Sequence, residues 1–265
     1  MTILETAIEA ARAAGQEIVR RLPLERDVHS KGFRDIVTDA DLAAQETLAS
    51  IIRSHFPHHS ILSEEGLRPS SNADTLWVLD PLDGTTNYAR RLPCFSVSIA
   101  VTRGDALVTG VVYDPLRDYV FCAERGAGAT WNGQRLCVSS VDDLGQAVAG
   151  LDFAREPAVR SSLMTTTVAC SERIRTLRSF GSAALGLCYV AAGWLDAYFH
   201  FSLAPWDCAA GGLIVMEAGG TITETDGKTW SYNQPRCLAT NGKLHSAFLG
   251  LIQESSDEGR TTQDG

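Results

Sequence analysis

An apolar run that stops at two closely spaced carboxylates constrains the fold of this chain more than any other stretch. Residues 77–79 are typical of the end of a buried strand, and Pro81, which has no backbone N–H, ends strand pairing there. Gly84 allows the backbone to approach a ligand, and the two threonines after it suit the start of a helix. The sequence therefore predicts a strand–turn–helix corner that directs Asp80, Asp83 and the free N–H groups of the helix toward one point. Such a point can bind divalent cations through the carboxylates and a phosphate group through the amides.

The same residues could instead form a simple Asp-Pro turn with a glycine at its end, which is common between a strand and a helix. Two further acidic stretches favour the functional interpretation. Glu64 and Glu65 follow the short apolar run 61–63, and Asp207 lies in the predicted first turn of an apolar helix that begins at Pro205. Carboxylates that adjoin apolar runs at three separate places are hard to explain as exposed surface.

Taken together, the three acidic stretches resemble the signature motifs of the inositol monophosphatase family, which are magnesium-dependent phosphomonoesterases. The motifs occur in the family's order and are Glu64-Glu65, Asp80-Pro-Leu-Asp83-Gly-Thr85 and Trp206-Asp207-Cys-Ala-Ala-Gly211. The similarity covers nearly the whole chain, from the first helix to about residue 250. It implies an α/β fold, the layered α-β-α-β-α sandwich also found in fructose-1,6-bisphosphatase. It also implies hydrolysis of a small phosphorylated alcohol, above all inositol 1-phosphate.

The resemblance implies a set of metal ligands. Glu64, Asp80 and the carbonyl oxygen of Leu82 would bind a first Mg²⁺ ion. Asp80, Asp83 and Asp207 would bind a second, and a third would depend on Glu64 and water. Every ligand atom is a hard oxygen, which suits magnesium. In this family Ca²⁺ is expected to compete unproductively, and lithium is expected to inhibit at the second ion site.

Asp41 has two possible roles. Thr38 or Asp39 can cap a predicted helix that extends to about residue 55, and the local sequence favours Asp41 as a carboxylate that merely stabilises the start of this helix. The resemblance favours a catalytic role instead. The stretch that ends at Asp41 looks like the family segment whose last aspartate bonds to the catalytic threonine, here Thr85. That threonine would orient the attacking water.

The resemblance also implies contacts with the substrate. The backbone amides of Gly84 and Thr85 would bind the phosphate, and Lys31 would lie near the outer metal ion. The stretch 181–183, at the start of another helix, would line the alcohol side. The complete set of implied substrate-binding residues is Lys31, Asp83, Gly84, Thr85, Gly181, Ser182, Ala183, His200 and Asp207.

His200 departs from the family pattern. Members that hydrolyse inositol phosphates commonly have a glutamate at this position, where its carboxylate accepts hydrogen bonds from ring hydroxyls. A neutral imidazole offers one donor and one acceptor, so weaker selectivity for inositol 1-phosphate is expected. The alternative is that His200 only ends a strand and points away from the substrate. Histidinol phosphate, fructose 1,6-bisphosphate and 3′-phosphoadenosine nucleotides remain possible substrates.

Two other classes of function are less well supported. A serine hydrolase would need a Gly-x-Ser-x-Gly motif, which the chain does not contain. A regulatory protein could retain the fold and bind phosphorylated ligands without hydrolysing them, and the loss of a ligand residue would favour it. The residues that decide this are all present: Glu64, Asp80, Asp83, Thr85 and Asp207.

The composition predicts one compact domain, and the resemblance implies that it is an inositol-monophosphatase-like domain. The chain has 265 residues, of which 45% are hydrophobic, enough for a single large core. We expect this domain to span residues 1–254, with an N-terminal α+β half to about 145 and a C-terminal α/β half from about 146. Residues 255–265 lack apolar anchors and are expected to be disordered.

Charge and cysteine content limit the cellular setting. The net charge of -9 argues against a nucleic-acid partner, which would need a basic patch. The seven scattered cysteines include no Cys-x-x-Cys pair and are typical of reduced thiols in a cytoplasmic protein. No apolar stretch is long enough for a membrane span, and residues 1–22 predict an amphipathic helix, not a signal peptide. The resemblance makes a homodimer the expected assembly.

The remaining chain predicts alternating short elements. Residues 23–34 predict a polar connector, and residues 94–139 predict an antiparallel meander with a type I′ hairpin at Asn132-Gly133. The second half alternates helices and strands, as in a layered α/β fold. Three histidines crowd positions 55–59, but Pro57 breaks the helical spacing that a metal site would use, so a solvated loop is favoured.

Overall fold

The computed structural model describes residues 1–24, 28–32, 35–69 and 74–261. The helices are α1 (Ile3–Arg21), α2 (Asp39–His55), α3 (Thr85–Ala89), α4 (Pro157–Ser171), α5 (Ala183–Ala191), α6 (Pro205–Glu217) and α7 (His245–Thr261). The strands are β1 (Val28–Gly32), β2 (Asp35–Thr38), β3 (Ser60–Ser63), β4 (Thr75–Asp83), β5 (Ser96–Arg103), β6 (Ala106–Asp114), β7 (Tyr119–Glu124), β8 (Gly128–Trp131), β9 (Gln134–Arg135), β10 (Val148–Leu151), β11 (Thr176–Arg178), β12 (Ala197–His200), β13 (Thr221–Thr223) and β14 (Cys237–Thr240).

Three layers of helices alternate with two sheets. Helices α1 and α2 pack together on one face of a seven-stranded sheet with the strand order β3-β4-β5-β6-β7-β8-β9. Helices α5 and α6 lie on the other face of that sheet and also contact a five-stranded sheet with the order β11-β10-β12-β14-β13. Helices α4 and α7 cover the far face of the second sheet. The predicted α-β-α-β-α sandwich is therefore confirmed.

The central strand of the five-stranded sheet, β12, is buried on both faces because helices cover both. On β12, Tyr198 packs into the core around α5 and α6, while its neighbours Ala197 and Phe199 pack into the core below α4 and α7. The side chains of successive strand residues point to opposite faces, so a strand buried on both sides needs a continuous apolar run.

The predicted meander is also present. Strands β4 to β8 each pair antiparallel with the next strand in the chain. Asn132 (φ 48°) and Gly133 (φ 80°) occupy the left-handed region at the hairpin between β8 and β9. These are the two positive φ values that a type I′ turn requires. All seven cysteines are free, and four of them are buried.

Two stretches differ from the prediction. Strand β1 forms within the predicted connector and pairs antiparallel with β2, which follows the connector; β1 is exposed along its whole length, so the sequence shows no alternation that would reveal it. Residues 25–27 and 33–34 of that connector lie outside the described part. Helix α7 extends to Thr261, which corrects the expected disorder from residue 255. The buried Ser255 shares a 2.7 Å hydrogen bond with Thr166 of α4, which holds this helix in place. Residues 262–265 lie outside the described residues.

The histidine-rich loop after α2 has a structural role. Nδ1 of His59 accepts a hydrogen bond from Nε1 of Trp77 at 3.0 Å, and its ring stacks on Phe56. Across the described ranges, no helix is long and apolar enough to cross a membrane.

Candidate active site

Asp80 and Asp83 lie on one face of β4 because the strand contains an extra residue between them. β4 continues through Pro81 instead of ending before it as predicted, and it shifts register against β5, where Asp80 lies opposite Ser98 and Asp83 opposite Ser96. Three steps along β4 therefore match two along β5, which defines a β-bulge. Because residues two apart on β5 share a face, the two aspartates share it as well. Proline is tolerated in a bulge since it leaves no N–H unpaired.

Gly84 turns the chain from β4 into α3 with a φ of 96°. A Cβ atom here would lie 3.0 Å from the carbonyl oxygens of both Cys94 and Gly181, so any larger residue would displace backbone on two sides. The predicted corner is therefore present, although α3 is only five residues long.

Thr85 and Asp41 meet although they are 44 positions apart. Oγ1 of Thr85 lies 3.0 Å from Oδ1 of Asp41 and 3.1 Å from the carbonyl oxygen of Leu82. Oδ2 of Asp41 accepts the backbone N–H of Thr38 at 2.8 Å and also its hydroxyl. Asp41 thus caps α2 and contacts the threonine at the same time. Burial is the main cause that raises the pKa of Asp41 to about 6.

The four predicted metal-binding carboxylates lie on neighbouring elements. Asp80 and Asp83 lie on β4, and Asp207 lies on α6, which packs against β4. The backbone N–H of Glu64 bonds to the carbonyl oxygen of Leu79 of β4 at 3.2 Å. Burial raises the pKa of Asp80 well above its ordinary value, and the charges of Glu64, Asp83 and Asp207 raise it further. Burial also raises the pKa of Asp207 to about 8, with added contributions from Asp83 and Glu64. Groups that influence one another in this way lie near each other in surroundings of low dielectric.

The chemistry of these residues fits Mg²⁺. All the donor atoms are hard oxygens, and a divalent cation would offset the repulsion among carboxylates that burial makes costly to ionise. In the described part of the chain, no three His, Cys, Asp or Glu side chains are already arranged as a metal cage. The carboxylates would therefore have to draw together around an ion.

Asp83 is bound to the N-terminus of α5. Its carboxylate accepts the N–H of Ala184 at 2.9 Å, the N–H of Ala183 at 3.3 Å and the hydroxyl of Ser182. The resemblance implies that residues 181–183 line the alcohol side of the substrate, whereas in the structure Ser182 and Ala183 donate hydrogen bonds to Asp83. Burial raises the pKa of Asp83 to about 7, and the hydrogen bonds from Ser182 and Ala184 oppose this rise.

Two cationic side chains lie beside Glu64. Nζ of Lys31 is 3.8 Å from Oε1 of Glu64 and forms a closer ion pair with Glu65. Nη2 of Arg155 lies 3.6 Å from the same oxygen of Glu64. The prediction that Lys31 lies near the outer metal is consistent with this position. Arg155 is not predicted, because a charged residue just before a helix looks like ordinary surface in the sequence.

His200 is buried at the end of β12. Its Nδ1 accepts the N–H of Ser202 at 3.0 Å, so a neutral ring carries its proton on Nε2. Burial lowers the pKa of His200 to about 4, although the charge of Glu156 opposes the shift. The ring is therefore neutral at physiological pH and has one donor left to offer.

Asp152 is a further buried aspartate that the sequence reasoning does not single out. It bonds to Gly181, Ser179 and Tyr198. A usable signal does exist: Leu151-Asp152 ends an apolar run just as Leu79-Asp80 does.

Comparison with known proteins decides the family. The model for the inositol monophosphatase family matches residues 1–257. The chain belongs to this family. The Nus factor SuhB of Pasteurella multocida is 42% identical over 259 residues, which cover 95% of this chain and 93% of that protein. Extragenic suppressor protein suhB from Bartonella henselae has a similar structure, with a TM-score of 0.91 and 32% identity over 94% of this chain and 98% of that one. The Thermotoga maritima IMPase has a TM-score of 0.90 and 34% identity over 97% and 99% of the two chains.

These findings confirm the resemblance drawn from the three acidic motifs. Membership of the inositol monophosphatase family supports a phosphatase activity that depends on a metal ion. The names of the relatives differ, since one is called a Nus factor and another an IMPase.

Proposed function

We propose that this member of the inositol monophosphatase family hydrolyses the phosphate ester of a small alcohol in the presence of Mg²⁺, with inositol 1-phosphate as the main candidate substrate. The hydrogen bond between Thr85 and Asp41, beside the buried carboxylates, is the observation that carries the proposal. It orients a hydroxyl that can hold a water molecule next to the carboxylates. These carboxylates suit a cation, and a bound cation would in turn attract a phosphate. The full set of ligand residues argues against a relative that only binds phosphorylated compounds.

Bound Mg²⁺ would neutralise charge on the phosphoryl oxygens, lower the pKa of a water molecule and stabilise the leaving alkoxide. We assign one ion to Glu64, Asp80 and the carbonyl of Leu82. A second would be held by Asp80, Asp83 and Asp207, and a third would depend on Glu64.

The chain's own part in the attack begins at Thr85. Its single hydroxyl proton is donated to Asp41 or to the carbonyl of Leu82, so its lone pairs can accept a hydrogen bond from a water molecule and orient it. With a pKa of about 6, Asp41 is mostly ionised at neutral pH and can accept the proton that the water releases through this hydroxyl. The bonds from Thr38 keep the carboxylate from rotating away.

Local groups would bind the phosphate, since the chain as a whole is acidic with a net charge of -9. The N–H groups of Gly84 and Thr85 at the turn into α3 suit phosphate oxygens. Lys31 and Arg155, both beside Glu64, would add positive charge at the entrance.

A panel of phosphate esters tests the proposal. We would measure released phosphate from inositol 1-phosphate, histidinol phosphate, fructose 1,6-bisphosphate and a 3′-phosphoadenosine nucleotide at saturating Mg²⁺. Turnover of inositol 1-phosphate is expected. Absence of phosphate release from every member of the panel would overturn the proposed activity.

Replacing Thr85 with alanine is expected to lower kcat by about a hundredfold or more with little change in Mg²⁺ affinity, because only the water-orienting hydroxyl is lost. Thr86→Ala is the matched control, since Thr86 is the exposed neighbour on the same short helix. Steady-state kinetics and a calorimetric Mg²⁺ titration separate the two effects. A defect mainly in metal binding would contradict the role given to Thr85.

Replacing His200 with glutamate is expected to raise kcat/KM for inositol 1-phosphate about tenfold relative to the other esters, because a carboxylate accepts hydrogen bonds from two ring hydroxyls where the imidazole donates one. His200→Gln, which is neutral and has one acceptor, should lie between the two. The measurement is kcat/KM across the panel. The idea fails if the wild-type enzyme is already strongly selective for inositol 1-phosphate and the substitution changes nothing.

A second candidate function follows from the relatives named Nus factors, of which the Pasteurella multocida protein is 42% identical to this chain over 259 residues. We propose that the chain can also act in a transcription complex, a role that does not need turnover. A transcription assay with wild type and Asp83→Asn separates the two functions. An equal effect of both forms supports this role, and no effect of wild type excludes it.

A further inference from the structure

Asp152 is buried at the carboxyl edge of the five-stranded sheet, directly after β10. Its Oδ1 accepts the N–H of Gly181 at 2.6 Å and the hydroxyl of Ser179 at 2.8 Å, and its Oδ2 accepts the hydroxyl of Tyr198 at 3.0 Å. Strands β10 and β11 are parallel neighbours, so their carboxyl ends meet at the same edge. Asp152 therefore binds the segment 179–182 where it leaves β11.

Tyr198 holds Asp152 from the other neighbouring strand. Its ring is fully buried. A Cβ atom added to Gly186 of α5 would lie 2.4 Å from this ring, and one added to Gly150 of β10 would lie 2.9 Å from it. The ring is thus closely packed between a helix and a strand, which fixes the position of its hydroxyl.

Asn87 of α3 holds the same segment from the opposite side. Its Nδ2 donates to the carbonyl of Phe180 at 2.6 Å and to that of Cys94 at 2.7 Å. Gly181 has a φ of 71°, and a Cβ atom there would lie 2.8 Å from Nδ2 of Asn87. The segment is therefore held between the sheet and the helix that follows Gly84.

This segment leads directly into the groups that bind Asp83. Ser182 and the first N–H groups of α5 all donate to that carboxylate. A displaced Gly181 would carry Ser182 with it and change the orientation of Asp83. The three bonds of Asp152 therefore act on a metal-binding side chain that Asp152 does not itself contact.

We propose that Asp152 is a positioning residue, which fixes the segment 179–182 and so holds Asp83 in the orientation that binds the cation. The inference rests on the proposed function for the role of Asp83. Hydrogen-bonded partners of metal ligands typically change metal affinity by about 10- to 100-fold when they are removed.

Asp152→Ala is expected to weaken Mg²⁺ binding by about tenfold or more, measured by calorimetry on the protein without substrate. It should lower kcat as well. Asp152→Asn should recover most of the affinity, because the amide oxygen can still accept from Gly181 and Ser179 and the amide nitrogen can donate to Tyr198.

Asp196→Ala is the matched control. Asp196 is a buried aspartate next to the same sheet, and it accepts hydrogen bonds from Ser139 and Val148. It lies just before the start of β12, whereas Asp152 follows the end of the parallel strand β10, so the two aspartates are at opposite ends of these strands. We expect Asp196→Ala to lower the unfolding temperature and leave Mg²⁺ affinity unchanged. If Asp152→Ala does not fold, Tyr198→Phe removes one of the three bonds and should weaken Mg²⁺ binding less.

A double-mutant cycle completes the test. Ser182→Ala combined with Asp152→Ala should cost less Mg²⁺ affinity than the sum of the single changes, because both act on Asp83. Equal Mg²⁺ affinity in Asp152→Ala and Asp196→Ala would overturn the proposal. A wild-type protein that binds Mg²⁺ but hydrolyses no ester would instead count against the proposed function, and the binding comparison would still decide the role of Asp152.

Discussion

Asp83→Asn is expected to lower kcat/KM on the order of a thousandfold while the protein keeps its fold. The substitution removes one charge of the proposed metal site at nearly constant shape. Burial raises the pKa of Asp83 to about 7, which means that the ionised carboxylate is costly in the absence of a cation. The unfolding temperature without Mg²⁺ should therefore stay the same or rise, and the gain on adding Mg²⁺ should shrink.

Kinetics at saturating Mg²⁺ and thermal unfolding with and without the ion test this expectation. Asp196→Asn is the control, because Asp196 is also buried but lies at the amino-terminal end of β12 in the second sheet. It should change the unfolding temperature and leave kcat/KM unchanged. A near-normal rate for Asp83→Asn would show that the second metal site is wrongly assigned.

Exhaustive chelation of divalent cations is expected to abolish turnover and to make the stability of the protein depend on pH. Burial raises the pKa of Asp83 to about 7 and that of Asp207 to about 8, from ordinary values of 3.8. The folded state therefore holds more protons than the unfolded state in this range. Stability that is present at low pH is lost as pH rises through the folded-state pKa values.

The effect of these carboxylates on stability is best measured between about pH 6.5 and 8. Below about pH 6.5, the buried His200, whose pKa is lowered to about 4, makes the free energy of unfolding rise with pH. The reason is that His200 is neutral in the folded state but protonated in the unfolded state. Between about pH 6.5 and 8, the free energy of unfolding without metal should fall with rising pH. Saturating Mg²⁺ should largely remove this fall, since metal binding releases protons from the carboxylates and the folded and unfolded states then hold about the same number.

Urea denaturation at several pH values, with chelator or with Mg²⁺, measures both slopes. Asp83→Asn should reduce the fall in the metal-free protein, because one of the titrating groups is gone. A metal-free stability that is flat or rises between about pH 6.5 and 8 would contradict the raised pKa values of the cluster. Turnover that survives exhaustive chelation would exclude a strict requirement for Mg²⁺.

Local sequence was sufficient to predict an element where the residues whose contacts determine it lie within a few positions of one another. Thr38 predicts the start of α2 because its capping partner, Asp41, is three residues away. Asn132-Gly133 predicts its hairpin because both left-handed positions are adjacent. The carboxylates at Asp80 and Asp83 are visible because each adjoins a buried apolar run.

Local sequence failed where a partner elsewhere in the chain determines the structure. Pro81 predicts the end of β4, yet the strand continues because a bulge in β4 lets it stay paired with β5. The exposed strand β1 has no apolar alternation to reveal it. Residues 255–261 lack apolar residues, yet α7 continues there, supported by the bond between Ser255 and Thr166.

The sequence by itself determined the family, the layered fold and the carboxylates that meet at the site, since these depend on residue type and on short spacings. Only the tertiary structure decided what each side chain binds. Thr85 reaches Asp41 across 44 positions, and Asp83 reaches Ser182 across 99. Hydrogen bonds form only when donor and acceptor lie about 3 Å apart. The packing of α2, α3 and α5 around the two sheets, and not the order of residues along the chain, brings these atoms to that distance.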